Sequence, residues 1–216
     1  MENQNLTDIT DFDYLLVLDF EAVFGKANDI DYQEIIEFPV VILDVQNKKI
    51  MDNYFQHFIK TQVITELNPQ CIEITGITQE QVDNGVILQE AIKQLDIFLK
   101  KNQILESKFT FITCGDYDLG KCLMREALYK KINIPDYLKN YINVKKVFPL
   151  QYYPKKPKLG DKRLPGMAAM LKGLNLKLEG HHHSGIDDSK NIAKIVLTLM
   201  QRGIKFTKEQ ITYMNY

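Results

Sequence analysis

The chain has 216 residues, 45% of them hydrophobic and 25% charged, which is the composition of an ordinary globular protein long enough for one well-buried core and excludes disordered and fibrous classes. Its 27 Lys+Arg and 28 Asp+Glu cancel only in total: residues 1–100 hold 6 basic and 18 acidic residues, a net of −12, and residues 101–216 hold 21 and 10, a net of +11. Carboxylates gather cations and lysines gather phosphates, so the split points toward metal or nucleic-acid chemistry.

No apolar run approaches the roughly 18–20 residues of a membrane-spanning helix, and the start MENQNLTDIT has neither a basic n-region nor an apolar h-region. The expectation is a soluble, unexported protein of cytoplasm or nucleus, with no membrane partner. Cys71, Cys114 and Cys122 are an odd count without paired metal-ligand spacing, which fits reduced thiols.

Residues 1–13 read as a polar tail ahead of a single domain over residues 14–216, with no internal repeat or Gly/Ser linker. Tyr14 to Phe20 is a short apolar run that suits a buried strand. Gln33 to Val45 and Lys49 to Lys60, separated by the turn-like Gln46-Asn47-Lys48, suit an antiparallel pair. Leu88 to Lys101 places Leu88, Ile92, Leu95 and Leu99 on one helical stripe, and Phe109 to Cys114 is the fourth strand. Asp118 to Lys131 follows as a helix, Tyr141 to Val147 as the fifth strand, Leu164 to Leu174 as a helix, and Asp188 to Arg202 as a long helix ending at Gly203. Three strands followed by alternating helices and strands predict an α/β fold with a mixed five-stranded sheet flanked by helices.

Three segments carry candidate chemistry. In Asp-Phe-Glu-Ala, residues 19–22, the period-two alternation of a strand sends Asp19 and Glu21 to one face. A divalent ion would hold both ionised where they otherwise repel; the alternative is a strand that has simply reached solvent. In Cys-Gly-Asp-Tyr-Asp-Leu, residues 114–119, either Asp116 or Asp118 can be a helix N-cap, and spacing does not choose between them. In the segment from Gly180 to Asn191, Asp188 lies four residues before Ile192 and so points to the buried side of the last helix, whereas Asp187 suits a capping position. His183 sits five positions earlier on a short loop and is a natural proton acceptor near neutral pH. The run His181-His182-His183 also reads as a surface tract or a transition-metal site.

Taken together, Asp-x-Glu on the first strand, an Asp after an aromatic behind the fourth, and His-x4-Asp opening the last helix resemble the DEDDh 3′–5′ exonucleases of RNase H-like fold. More closely, YLLVLDFEA, QEIIEFPVVILD, TGITQEQVD, YINVKKVF and GHHHSGIDDSKNIAKI are similar to the Eri-type exoribonucleases, which trim histone mRNA 3′ ends, small interfering RNAs and 5.8S ribosomal RNA. The resemblance runs from about Tyr14 to Gly203. It implies a 3′–5′ exoribonuclease that releases nucleoside 5′-monophosphates through two Mg²⁺ ions, with Mn²⁺ as a substitute. Asp19, Glu21, Asp118 and Asp188 would be the metal-binding acids, with Glu21 and His183 catalytic and His183 the general base. Asp118 rather than Asp116 matches because it directly follows Tyr117. The resemblance further implies substrate contacts at Phe20, Ala22, Gly76, Ile77, Thr78 and Leu119.

The chain departs from that pattern at Cys114, Gly115 and Tyr117, where relatives have an Asp-Gly pair and often Trp, and at His181, where they usually have Arg. Lys145, Lys146, Lys155 and Lys156, with Lys158, Lys162 and Arg163 in the PKKPKLGDKR loop, are candidate RNA-backbone contacts, or else a solvated surface. RNA is the expected partner, together with ribonucleoprotein or RNA-processing proteins and a nucleoside monophosphate product. The alternatives are a DNA-directed exonuclease of the same superfamily and a non-catalytic RNA-binding subunit of the same fold.

Overall fold

A computed structural model describes residues 10–24, 33–155 and 164–214. Its centre is a mixed sheet. Strand β1 (Tyr14–Val17) lies between β3 (Ile35–Asp44), with which it is antiparallel, and β6 (Phe109–Thr113), with which it is parallel. Beyond β6 come β7 (Asn140–Asn143), parallel, and β8 (Ile211–Tyr213), antiparallel to β7. The two-residue strands β2 (Glu21–Ala22) and β4 (Lys49–Ile50), and β5 (Phe55–Phe58), all pair antiparallel with β3.

The expected antiparallel partner of β3 is thus present but broken into two pieces around Asp52 and Asn53. Among the described residues the sheet has eight strand segments; β2 and β8 add to the five expected positions. The run from Tyr141 to Val147 is a strand only to Asn143. There the Asn143 side chain accepts the Lys145 N–H at 3.0 Å and opens a helical turn, α5 (Val144–Val147), in place of further strand.

Alternation along the strands builds two cores. Leu15, Val17, Val41, Leu43, Ile112 and Ile142 face α6 (Met167–Leu174) and α7 (Gly185–Gln201). Leu16, Leu18, Val40, Ile42, Phe111 and Tyr141 face α3 (Leu88–Lys101) and the continuous helix made of the turn Asp118–Leu123 and α4 (Met124–Lys130). Strand β3 is covered on both faces, which is why its sequence reads as a nearly unbroken apolar run. A smaller cluster gathers Val23, Ile36, Cys71, Ile77 and Val82 under α1 (Pro69–Thr75) and α2 (Gln79–Asp83). Both short helices carry local start signals: Asn68 caps α1 ahead of Pro69, and Thr78 with Gln81 forms a capping box on α2. No helix among the described residues is long and apolar enough to cross a membrane.

Candidate active site

Strand β1 ends at Val17, and the chain then carries Asp19 past the sheet edge before Glu21 re-enters as β2. One ligand oxygen from each of Asp19, Glu21 and Asp188 lies within 4.8 Å of the others. Asp118 joins from the helix after β6: its Oδ1 accepts the Phe20 N–H at 3.1 Å, so the backbone between the paired acids holds the third carboxylate directly. The first turn of that helix, Asp118–Leu123, is π-helical, a distortion frequent at functional sites.

Crowding leaves its mark on the acids. Burial is the main reason that Glu21 is pushed up to about 9, with the charges of Glu37, Asp188 and Asp118 adding to it. Asp118 is pushed up to about 6 by burial, which the Phe20 N–H and the Lys145 ammonium oppose. Burial and then Asp118, Asp188 and Glu21 hold Asp19 well above the carboxylate range, against a lowering influence from Lys145. Asp188 is raised by burial, against the His183 N–H and the neighbouring imidazoles. Asp188 Oδ1 is buried and has no hydrogen-bond partner among the described residues. Oxygen donors that repel one another, one of them unpaired, fit a hard divalent cation.

Helix α7 brings Asp188 to this point by an anchor that sequence reasoning missed. Its N-cap, Ser184, makes no side-chain cap bond. Glu37, on β3 and 1% exposed, does so instead: its carboxylate accepts the Gly185 N–H at 2.8 Å, the Ile186 N–H at 3.2 Å and the Gln56 side-chain amide at 2.8 Å. The only hint in the sequence was a carboxylate inside the apolar run IIEFPVVIL. Asp187, expected as a cap, accepts the His181 N–H at 2.8 Å and so pins the histidine loop. Asp188 Oδ2 accepts the His183 N–H at 3.0 Å, which fixes the loop against the site. Burial, with His182 adding to it, lowers His183 below the ordinary 6.5, while Asp188 opposes the shift.

The remaining expected residues divide. Asp116 lies apart, accepting from Tyr141 Oη at 3.2 Å and Lys146 Nζ at 3.0 Å. Burial would raise it, but the bonds from Lys146 and Asn143 prevail and hold it below the carboxylate range. Lys146 is therefore engaged in an ion pair, whereas Lys145 faces the acids. Lys155 is exposed. Lys156 and the rest of the basic loop to Arg163 lie outside the described residues. The side chains of Phe20 and Leu119 are buried in the core, Phe20 edge-on to Phe38 at 4.7 Å, so Phe20 meets the acids through its backbone N–H and Leu119 turns its side chain inward. Ala22 is half-buried on β2. Gly76 takes a left-handed conformation at the end of α1, Ile77 packs in the cluster with Val23, and Thr78 caps α2, so this turn stands behind β2.

The family description Exonuclease (RNase_T) matches residues 16–196, the stretch that contains all four acids and His183. The chain is 30% identical to the nuclease domain of 3′hExo, described as a DEDDh family member bound to rAMP, with a TM-score of 0.82 over 95% of this chain and 98% of that one. The chain belongs to the DEDDh exonuclease family. Members of the family depend on metal. ERI1 exoribonuclease 3 of Homo sapiens is 40% identical over 199 residues, 90% of this chain and 56% of the relative's length. A 3′-exonuclease described in 3′-end specific recognition of histone mRNA stem-loop shares 29% identity with a TM-score of 0.81, over 96% of this chain and 72% of that one. The chain thus spans little more than half the length of that exoribonuclease relative, and its mixed α/β fold agrees with the RNase H-like fold of the solved DEDDh neighbours.

Proposed function

We propose that the protein is a metal-dependent 3′–5′ exoribonuclease that releases nucleoside 5′-monophosphates from RNA 3′ ends. The observation that carries this reading is the convergence of Asp19, Glu21 and Asp188 within ligand distance, with Asp118 on the Phe20 N–H and His183 on Asp188. The names of the exoribonuclease relatives, and the rAMP and histone stem-loop described for solved neighbours, support RNA as the substrate class.

The four carboxylates would hold two Mg²⁺ ions, which supply an activated water and neutralise charge at the scissile phosphate. His183, neutral near pH 7, accepts the proton of that water; its backbone bond to Asp188 keeps the imidazole beside the acids. Lys145, whose charge lowers the pKa of Asp19 and Asp118, lies where a phosphate arriving at the cluster meets a cation. The Ala22 backbone on β2 borders the place of the terminal nucleotide.

The test is a Mg²⁺ time course on 5′-labelled single-stranded, hairpin and overhang RNAs, with DNA alongside and an EDTA control. A ladder shortening from the 3′ end on RNA, abolished by EDTA, is the expected result. Digestion of DNA in preference to RNA would assign the site to the DNA-directed branch, and binding without cleavage would make the chain an RNA-binding subunit.

A further inference from the structure

We propose that His182, His183 and Asp188 form a second metal site, suited to zinc and similar borderline-soft divalent cations, whose occupation silences the nuclease centre. One ligand atom from each of the three lies within 4.8 Å of the others, and Asp188 also belongs to the acid cluster with Asp19 and Glu21. The His182 and His183 rings stand 3.9 Å apart between centroids, and His182 Nε2 is 3.9 Å from Asp188 Oδ2. Asp188 is only 3% exposed, and its Oδ2, the oxygen nearest His182, accepts the His183 N–H at 3.0 Å, which leaves that oxygen a second lone pair for a cation.

The backbone beneath the imidazoles is fixed while the rings stay accessible. The Ser184 N–H donates to the His181 carbonyl at 3.1 Å, the His181 N–H to Asp187 at 2.8 Å and the His183 N–H to Asp188 at 3.0 Å. The His182 side chain is 44% exposed. Tetrahedral zinc ligands at about 2.0–2.1 Å from the ion stand roughly 3.3 Å apart, a closure that rotation of two exposed rings can supply. Two imidazoles and a carboxylate with an open fourth position are a zinc donor set, whereas Mg²⁺ prefers all-oxygen sites. The two cation types therefore divide between the two sides of Asp188: the hard ion goes to the carboxylates and the softer one to the histidines. Zinc on the imidazole side takes the ring lone pair of His183 that would accept a proton, and draws Asp188 away from Asp19 and Glu21. That inhibitory consequence rests on the nuclease reading above; the metal site itself does not.

Co²⁺ replaces Zn²⁺ as a visible probe. Titration of the full chain with Co²⁺ should give intense tetrahedral d–d bands. His182→Gln should weaken that binding about tenfold or more, and His181→Gln should leave it unchanged. In excess Mg²⁺, Zn²⁺ should inhibit RNA cleavage by the wild type at about tenfold or more lower concentration than cleavage by His182→Gln, with equal zinc-free rates. Equal Co²⁺ binding by wild type and His182→Gln would overturn the site. Equal zinc sensitivity alongside weakened Co²⁺ binding would overturn its inhibitory role. Absence of RNA cleavage from both proteins, with Co²⁺ binding still lost in His182→Gln, would instead remove the proposed function and leave the site standing.

Discussion

Asp118 is held by the same backbone that separates Asp19 from Glu21, through the Phe20 N–H on its Oδ1. Asparagine keeps that acceptor and removes the charge. Asp118→Asn should therefore melt no lower than the wild type in EDTA at neutral pH, since it also removes a buried charge, while cleaving RNA about 100-fold or more slowly, because even the outer-shell partners of a metal ligand are commonly worth about 10–100-fold. His183→Ala should lower the rate by about 10²–10⁴, the range for a positioned proton acceptor, again with the fold intact. Near-normal turnover by either variant in a Mg²⁺ assay would remove that residue from the site. Glu37 makes the opposite prediction. Glu37→Ala strands the Gly185 and Ile186 N–H groups inside the protein, and hydrogen bonds to a charged group are worth about 1.5–3 kcal/mol each. Relief of repulsion with Glu21 offsets little at neutral pH, since Glu21 is pushed up to about 9 and is then mostly protonated in metal-free protein. A loss of about 2 kcal/mol or more in urea denaturation is expected. Asp19, Glu21, His183 and Asp188 stand out as candidates by their spacing along strand, loop and helix, whereas spacing fits Asp116 as well as Asp118 and only the resemblance to the DEDDh family, through Tyr117, selects the latter. Glu37 does not stand out, because a lone acid in an apolar run says nothing about which helix end it will meet 148 residues later.

Helix α7 starts tightly against the chain just beyond strand β1. A Cβ on Gly185 would lie 2.7 Å from the Asp19 carbonyl oxygen and 3.0 Å from Glu37 Oε2. The first of these is backbone and cannot swing aside. Gly185→Ala should thus push the start of α7 off the sheet, costing about 1–3 kcal/mol from overpacking and weakening Mg²⁺-supported cleavage by separating Asp188 from Asp19. Calorimetry and cleavage rates should move together; a stable variant with full activity would show that the contact is slack. Elements of this length were readable in the sequence because α3 and α7 repeat their apolar faces over several turns and β3 is buried on both sides. The short ones were not. Strands β2 and β4 have two residues each and exist only because β3 offers them a ladder, and β8 pairs with β7 across some seventy residues of intervening chain. Tyr141 to Val147 changes from strand to helical turn because one side chain, Asn143, caps the backbone there, a local bond that outweighs a pattern of alternating residues.

At the scale of the whole molecule, the −12 and +11 halves are interleaved by the fold. Strands β1 to β5 come from the acidic half, while β6 to β8, Lys145 and Asp188 come from the other. With a pI near 6.4 the net charge is small at neutrality, so the burial of the acid cluster, with repulsion among its members adding to it, governs how stability follows pH. Glu21 sits at about 9 in the folded chain against an ordinary 4.5, and Asp118 at about 6 against 3.8, so both are raised. The folded state therefore holds protons that the unfolded chain has released. Its advantage from these groups is complete below the unfolded values and is lost as pH climbs through the folded ones. For Glu21 alone that loss is about 3 kcal/mol between pH 4.5 and 7, and it continues to about pH 9. Bound cations favour the ionised carboxylates and reverse the penalty. The melting temperature in EDTA should fall from pH 5 to 9, and the difference between Mg²⁺ and EDTA should widen over the same range. A difference that stays constant with pH would mean that the cations stabilise the protein somewhere other than Asp19, Glu21, Asp118 and Asp188.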